Sequence, residues 1–317
     1  MMGCSEIDFG NPNTWGIVCN SHSRKVLKRW EQVRPYVEEK GVVYEFFASD
    51  GKEEIGQKAR ELCQQGCKTL VVIGSDGTLN DVINGVLSMP LLPEGFALGM
   101  IPAGIGNDFA SFWDIPVDSF KQAVDNILAR RLKRIDVGVC KYEDENHTQQ
   151  VRYFLNCVNI GLGARLVELT NRYQSLIPSK KLSLIPIFIG QIFSRKSFNI
   201  AFMADTEKEW QNVMSICIGN ATGYGQTPNA VPYNGFLDMS VITRPKWWQL
   251  FQGFWMLGKG QFLNYKNVHP YRLEKLEFTD VGKASISLDG RFLREKSCVP
   301  LRLSVLPDYL DFIINAH

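Results

Sequence analysis

Apolar and polar positions alternate along the first 136 residues in a way that changes period every ten to fifteen residues. The run "WGIVCN" (15–20) reads as a short buried strand. In the segment that follows, Val26, Trp30, Val33 and Val37 recur at helical spacing, with Gly41 where a helix would stop. "VVYEFFAS" (42–49) is the next strand, and "KEEIGQKARELCQQG" is an amphipathic helix ending at Gly66. "TLVVIG" (69–74) is a third strand and 78–86 a third helix. "FALGMIPAG" (96–104) is a fourth strand, and 118–129 a further helix. Strand–helix alternation predicts a parallel sheet covered on both faces.

After "RIDVGVC" (134–140) the rhythm becomes that of strands and turns. "VRYFLNCVNIGLG", "SFNIAFMAD", "VMSICIGN", "FLDMSVIT", "KLEFTD", "ASISLDG" and "VPLRLSVLP" are apolar or alternating runs, interrupted by helical stretches near 165–195 and 245–262. They predict an antiparallel sheet or sandwich. The fold class expected is an N-terminal Rossmann-like α/β domain over 1–136 and a C-terminal antiparallel β-rich sandwich domain over 137–306. The tail, about 307–317, is free to pack back on the first domain. No internal repeat or low-complexity linker divides them.

Composition narrows the function less than the pattern does. The 317 residues are 45% hydrophobic and 21% charged, the profile of a globular chain, and the net charge of +2 gives no reason to expect a nucleic-acid partner. The eight cysteines are scattered; Cys63 and Cys67 lie four apart on a helix with no second pair to complete a zinc site, so reduced buried thiols are expected. The first fifteen residues lack the apolar stretch of a secretory leader. "LSLIPIFIGQIF" (182–193), the longest apolar run, falls short of the roughly 20 residues a spanning helix needs. A cytoplasmic protein without a transmembrane span is expected.

Three predicted strands end in unusual residues. The first offers Asn20, Ser21, Ser23 and Lys25; the second Gly74, Ser75, Asp76, Gly77 and Thr78; the third Gly104, Gly106, Asn107 and Asp108. Ligands of open α/β sheets bind beyond the carboxyl ends of the strands. Glycines there admit close backbone approach, and helix N-termini present N–H groups to phosphate oxygens. A neighbouring carboxylate can accept a hydroxyl proton or help hold Mg2+. Each loop alone also reads as a turn with an Asp or Thr helix cap. Three of them at strand ends of one sheet carry more weight. None is a Walker A loop, because no Gly-Lys-Ser/Thr follows at the required spacing.

"GSDGTLNDVINGV" resembles the "GGDGTxNEVxNG" signature of the diacylglycerol kinase catalytic domain family, which includes bacterial soluble lipid kinases and sphingosine kinases. "IPAGIGNDFA" is similar to its second signature, "PxGTxNDFA". "RIDVG", "FLNCVNIGLGA", "GNATGYGQTPNAVPYNGFLDMSVIT" and "SISLDGRF" follow in the family's order. The resemblance runs from about Trp15 to Leu306. "GDGT" is shared with NAD kinases, whereas "NDFA" is much more specific to the lipid-kinase branch.

The resemblance implies a two-domain kinase with ATP and the active site in the cleft between the domains, Mg2+ as cofactor, and transfer of a γ-phosphate to a lipid hydroxyl such as that of diacylglycerol. Gly74, Ser75, Gly77 and Thr78 inherit the phosphate loop, joined by Gly104, Gly106, Asn107, Asn20 and Lys25. Asp76 inherits a catalytic role as metal ligand or base, Asp108 that of an active-site acid, and Asp289 the place of the Asp in the catalytic "DGE" motif. Asp136 and Asp238 match metal-organising positions. The chain departs from the pattern in five places. Ser75 replaces Gly, Ile105 replaces Thr, and Asn-Ser-His-Ser-Arg-Lys replaces "NPxSGK". Tyr233-Asn234 replaces the acidic pair of "DDGxLD", and Arg291 replaces the Glu of "DGE". Arg291 reverses the local charge and leaves two readings: a working kinase, or a degenerate member that binds nucleotide or lipid without efficient transfer.

A lipid substrate requires peripheral contact with the membrane surface. "KWWQLFQGFWMLGKGQF" (246–262) suits an interface helix, with Trp248, Phe251 and Trp255 on a face expected to pack on the core and Trp247 and Phe254 on the better lipid-contact face. Homodimer formation is left open.

Overall fold

The computed structural model describes residues 7–104, 107–173, 197–204, 207–246, 261–293 and 299–315, with isolated positions between 249 and 259. The chain divides into two compact units, Met1–Ile135 with Asp308–His317, and Asp136–Pro307.

The first unit runs β1 (Thr14–Asn20), α1 (Arg24–Glu39), β2 (Val43–Ser49), α2 (Lys52–Gln64), β3 (Thr69–Gly74), α3 (Asp76–Val86), β4 (Ala97–Pro102), α4 (Asp108–Phe112) and α5 (Phe120–Ala129). Its strands are parallel in the order β4-β3-β1-β2. The chain moves from β1 outward to β2 and then back past β1 to β3, so the sheet has its switch point between β1 and β3. α2 packs on α3 and α1 on α5, covering both faces. That is why β3 and β4 are buried at every residue and read as unbroken apolar runs. Ile17, Leu70, Val71, Val72, Ile73 and Ile101 are fully buried, each contributing about 1.5–3 kcal/mol by leaving water.

Gly41 and Gly66 end α1 and α2 with positive φ, as the sequence predicts. α3 begins at Asp76, two residues earlier than the apolar pattern indicates, because Ser75 is its extended N-cap. The short helix α4 was not anticipated; the pattern there is too brief to show a period.

The chain crosses to the second unit within β5 (Leu132–Glu143), followed by β6 (Gln149–Phe154), β7 (Cys157–Gly161), α6 (Leu162–Tyr173), β8 (Phe198–Met203), β9 (Glu207–Gly219), β10 (Leu237–Thr243), β11 (Val268–Leu273), β12 (Lys275–Asp280), β13 (Ile286–Leu288), β14 (Arg291–Phe292) and β15 (Leu301–Ile313). The pairings inside this unit are antiparallel: β7 with β13 and β9, β9 with β8 and β10, β10 with β11, β12 with β8 and β15. One face supplies the core, with Val158, Ile160, Ile216, Ile218, Met239, Val241, Ile286 and Leu288 in one cluster. The opposite face of the same strands carries Asn159, Ser215, Cys217, Ser240 and Ser287, all buried. β15 runs past the second unit, and Phe312 pairs in parallel with Leu98 of β4 in the first. Asn315 also accepts a hydrogen bond from Asn126 Nδ2 at 2.9 Å.

Three features of this unit differ from the sequence pattern. The run "VRYFLNCVNIGLG" is two strands, broken at 155–156. β11 was not foreseen, because "VHPYRL" carries a proline and alternates weakly. α6 begins at Leu162; the remainder of the stretch to 195, including 182–193, lies outside the described residues. The six described cysteines are buried thiols. No described helix is long and apolar enough to cross a membrane.

Candidate functional site

The register Gly74↔Pro102 and Cys19↔Ile73 sets the carboxyl ends of β1, β3 and β4 side by side. Residues just beyond those ends are therefore neighbours by construction. Gly74 O accepts hydrogen bonds from Ala103 N–H at 2.9 Å and Gly104 N–H at 3.2 Å, which ties the two signature loops together. They meet with no space for a side chain. A Cβ at Gly104 would lie 2.2 Å from Ser75 Cβ, and one at Gly74 would lie 2.6 Å from Thr78 Oγ1.

Asp76 joins the loops a second time. It is 3% exposed, and its Oδ2 accepts from Asp108 N–H at 2.9 Å while Oδ1 accepts from Phe109 N–H at 3.3 Å. These are the first N–H groups of α4, which carry the positive end of the local peptide dipoles, so the donors complement a negative carboxylate. Asn107 precedes them as N-cap; its Nδ2 donates to Gly104 O at 2.9 Å, and its buried Oδ1 has no hydrogen-bond partner among the described residues. Ser75 makes no side-chain cap on α3. Asn20 Oδ1 accepts from His22 N–H at 3.0 Å, and Lys25 is exposed in the first turn of α1. Gly106 lies outside the described residues.

The second signature element of α3 has a different task. A Cβ at Gly85 would come within 2.0 Å of Gly56 O, so this glycine is required by the crossing of α2 and α3. Beside the site, burial pushes the Cys19 thiol up to about 12, which makes it inert as a nucleophile at neutral pH.

Asp136, Asp238 and Asp289 belong to the second unit. Asp289, 3% exposed, accepts from Leu155 N–H (2.8 Å), Asn156 N–H (3.0 Å) and Cys157 N–H (2.8 Å). Those bonds hold Leu155 and Asn156 in the break between β6 and β7 and fix Cys157 at the first position of β7. Asp289 and Gly290 both have positive φ in the two-residue hairpin between β13 and β14, an Asp-Gly turn of the kind that matches strand twist. Arg291, the residue that replaces the family Glu, is half-buried as the first residue of β14. Asp136 is 1% exposed and its Oδ2 accepts from Gly235 N–H at 2.7 Å. Asp238 is gripped by Arg272, with Nε–Oδ1 at 2.9 Å and a second guanidinium nitrogen to Oδ2 at 3.1 Å.

Sequence reasoning passed over two residues that organise this unit. Asn220, fully buried, donates to both Asp136 O (3.0 Å) and Leu155 O (2.9 Å). Asn156 O accepts from Asn220 and Ala221 N–H, and Asn156 Oδ1 from Gly223 N–H. Buried asparagines in "FLNC" and "IGNA", each flanked by apolar residues, were the available signal.

The family model of the diacylglycerol kinase catalytic domain matches residues 14–140, and that of the YegS C-terminal NAD kinase beta sandwich-like domain matches 156–314. The chain belongs to the diacylglycerol kinase family of lipid kinases. Its relatives in that family include a diacylglycerol kinase of Staphylococcus saprophyticus, 23% identical over 266 residues covering 81% of each chain. Another is a diacylglycerol kinase of Bacillus subtilis, 22% identical and covering 89% of this chain and 88% of its own. A crystal structure of a diacylglycerol kinase from Bacillus anthracis superposes with a TM-score of 0.64 at 15% identity, over 95% of this chain and 96% of that one, a likeness of fold. The α/β unit followed by a C-terminal β-sandwich is the architecture of this family.

Residues of the first unit fit a nucleotide: a glycine-tight strand–turn–helix, a second helix start beside it, and an orphan amide oxygen at Asn107. Mg2+ is commonly held by one or two carboxylates together with nucleotide phosphates, a role open to Asp76 and Asp108. A metal held by the protein alone fits less well. No cluster of three His, Cys, Asp or Glu side chains occurs among the described residues, and Asp238 already carries a guanidinium on both oxygens.

Proposed function

We propose that the protein is an ATP- and Mg2+-dependent lipid kinase that transfers the γ-phosphate to a lipid hydroxyl such as that of diacylglycerol. The observation that carries this reading is the double tie between the signature loops, through Gly74 O and through the Asp76 carboxylate. Phosphoryl transfer is largely positioning and charge neutralisation, so fixed loops and a fixed carboxylate are what it requires. Gly74, Ser75, Gly77 and Thr78 form the phosphate cradle with Gly104, Gly106 and Asn107, while Asn20 and Lys25 contact the nucleotide from the end of β1. Asp76 takes the proton of the acceptor hydroxyl or steadies the nucleotide's metal, and Asp108 is the second carboxylate of the site. Asp136 and Asp289 order the loops of the β-rich unit. Mg2+ supplies neutralisation of charge on the transferring phosphoryl group.

A lipid acceptor calls for contact with the membrane surface. Trp255 supports it: core packing was expected for this residue, yet it is 60% exposed with Lys259 Nζ 3.9 Å from its ring, because the neighbouring Met256 is what packs on Ile242, Tyr265 and Val268. An aromatic body beside a lysine suits the headgroup region. Trp247, Trp248, Phe251 and Phe254 lie outside the described residues.

A second reading, a member that binds nucleotide or lipid without efficient transfer, is favoured by Arg291 at the position of a family carboxylate. Transfer of labelled γ-phosphate from ATP to diacylglycerol in mixed micelles separates the two. Labelled lipid supports the kinase, and ATP binding with no labelled lipid supports the second reading. Arg291→Glu then reports the effect of the substituted charge: a gain in transfer marks Arg291 as the disabling change.

A further inference from the structure

The segment 229–238, at the start of β10, is where the family resemblance implies an acidic pair and a metal, and where this chain carries Tyr233 and Asn234 instead. Its remaining carboxylate, Asp238, lies directly opposite Arg272 in the β10–β11 register. The guanidinium makes a two-point fork on that carboxylate, Nε to Oδ1 at 2.9 Å and a terminal nitrogen to Oδ2 at 3.1 Å. The same terminal nitrogen reaches Asn229 O at 3.4 Å. One cationic group thus bridges a carboxylate and a backbone carbonyl at the two ends of the segment.

Two further side-chain oxygens at the segment are also engaged. Asn234 Oδ1 accepts from Phe236 N–H at 2.9 Å, closing a local turn, and Gly235 N–H donates to Asp136 Oδ2 at 2.7 Å. Charge balance favours the arginine over a metal. Asp238 and Arg272 cancel, whereas a divalent ion over the same single carboxylate would leave excess positive charge. Mg2+ in addition demands a near-octahedral shell of oxygens at about 2.0–2.1 Å. A planar guanidinium demands a fork, which is what Asp238 offers.

We infer that Arg272 acts as a built-in cation for the 229–238 segment, occupying the place of a divalent metal and making the stability of the β-rich unit independent of Mg2+. The inference concerns stability and stands whether or not the protein transfers phosphate.

Thermal unfolding of the full chain without nucleotide tests it. Wild type is expected to give the same Tm in EDTA and in millimolar Mg2+ or Ca2+. Arg272→Ala is expected to lower Tm by about 1–4 °C, the range for loss of a two-point ion pair half open to solvent in a chain of this size. The decisive variant is Arg272→Ala with Asn234→Asp, which removes the internal cation and restores one acid. Its Tm is expected to rise saturably on adding Mg2+ or Ca2+. If the alanine variants do not fold, Arg272→Lys with Asn234→Asp carries the test, with a smaller metal-dependent rise expected. The inference is overturned by a wild-type Tm that climbs with divalent ion, by Arg272→Ala as stable as wild type, or by an Asn234→Asp variant lacking Arg272 that ignores the metal.

Discussion

The first unit and the second both bury aspartates against backbone N–H groups, but they do so at different kinds of place. In the first, Asp76 sits where two strand-end loops converge and accepts from the start of a five-residue helix. In the second, Asp289 accepts from the two residues of a strand break and the first residue of the strand that follows, and Asp238 is locked to an arginine across a ladder. The first arrangement holds a charge where two glycine-tight loops meet beyond the strand ends. The second engages its charges at a strand break, in Asp289, and across a ladder with an arginine, in Asp238. A carboxylate's worth to chemistry depends on what else surrounds it, and motif matching alone treats the two alike.

The comparison can be broken most sharply at the glycines and carboxylates. Replacing Asp76 by Ala should reduce phosphate transfer at least about 100-fold, as expected for removing a preorganised charged group from a transfer site. Gly104→Ala should follow: its Cβ would fall 2.2 Å from Ser75 Cβ, so the loops must separate, weakening ATP binding measured by calorimetry and costing about 1–3 kcal/mol of stability. Gly85→Ala meets Gly56 O at 2.0 Å and should destabilise by a similar amount in denaturant melts, while the KM for ATP in the folded fraction stays unchanged. The same signature would then divide into a phosphate-loop half and a helix-packing half. Asp289→Asn leaves an amide NH2 facing N–H donors and should cost about 1–3 kcal/mol in the same melts.

A further effect is alkaline. Burial raises the Cys19 thiol from 9.0 to about 12 and Cys67 from 9.0 to about 11. A thiol raised in the folded state favours its neutral form there, so the contribution is fully present below pH 9 and is lost as pH rises through 11 to 12. Tm against pH should be flat to pH 9 and then fall, and alkylation mapped by mass spectrometry should reach Cys19 and Cys67 only on that limb.

Much of the first unit was legible because each element has its own period and its own stop: Val26, Trp30, Val33 and Val37 on one face of α1, Gly41 after it, and the unbroken apolar run of β3. The start of α3 was misplaced because Asp76 looks like turn chemistry and is in fact the helix's first residue. The second unit was legible as strands but not as pairings. Arg272 carries no local signal; its meaning arises from lying opposite Asp238, and β11 itself was unseen. Asp289 matched a catalytic motif by its neighbours, whereas its hydrogen bonds reach back more than 130 residues to 155–157, a distance no local pattern encodes.

The central claim is that Asp76 serves the reaction and Asp289 serves the fold. The most direct measurement is the lipid-kinase turnover of Asp76→Asn, made on protein shown by its melting curve to be folded, beside Asp289→Asn assayed well below its own Tm. The account predicts that Asp76→Asn is inactive while folded, and that Asp289→Asn melts earlier yet retains most of its turnover. An active Asp76→Asn, or a stable and inactive Asp289→Asn, would contradict it.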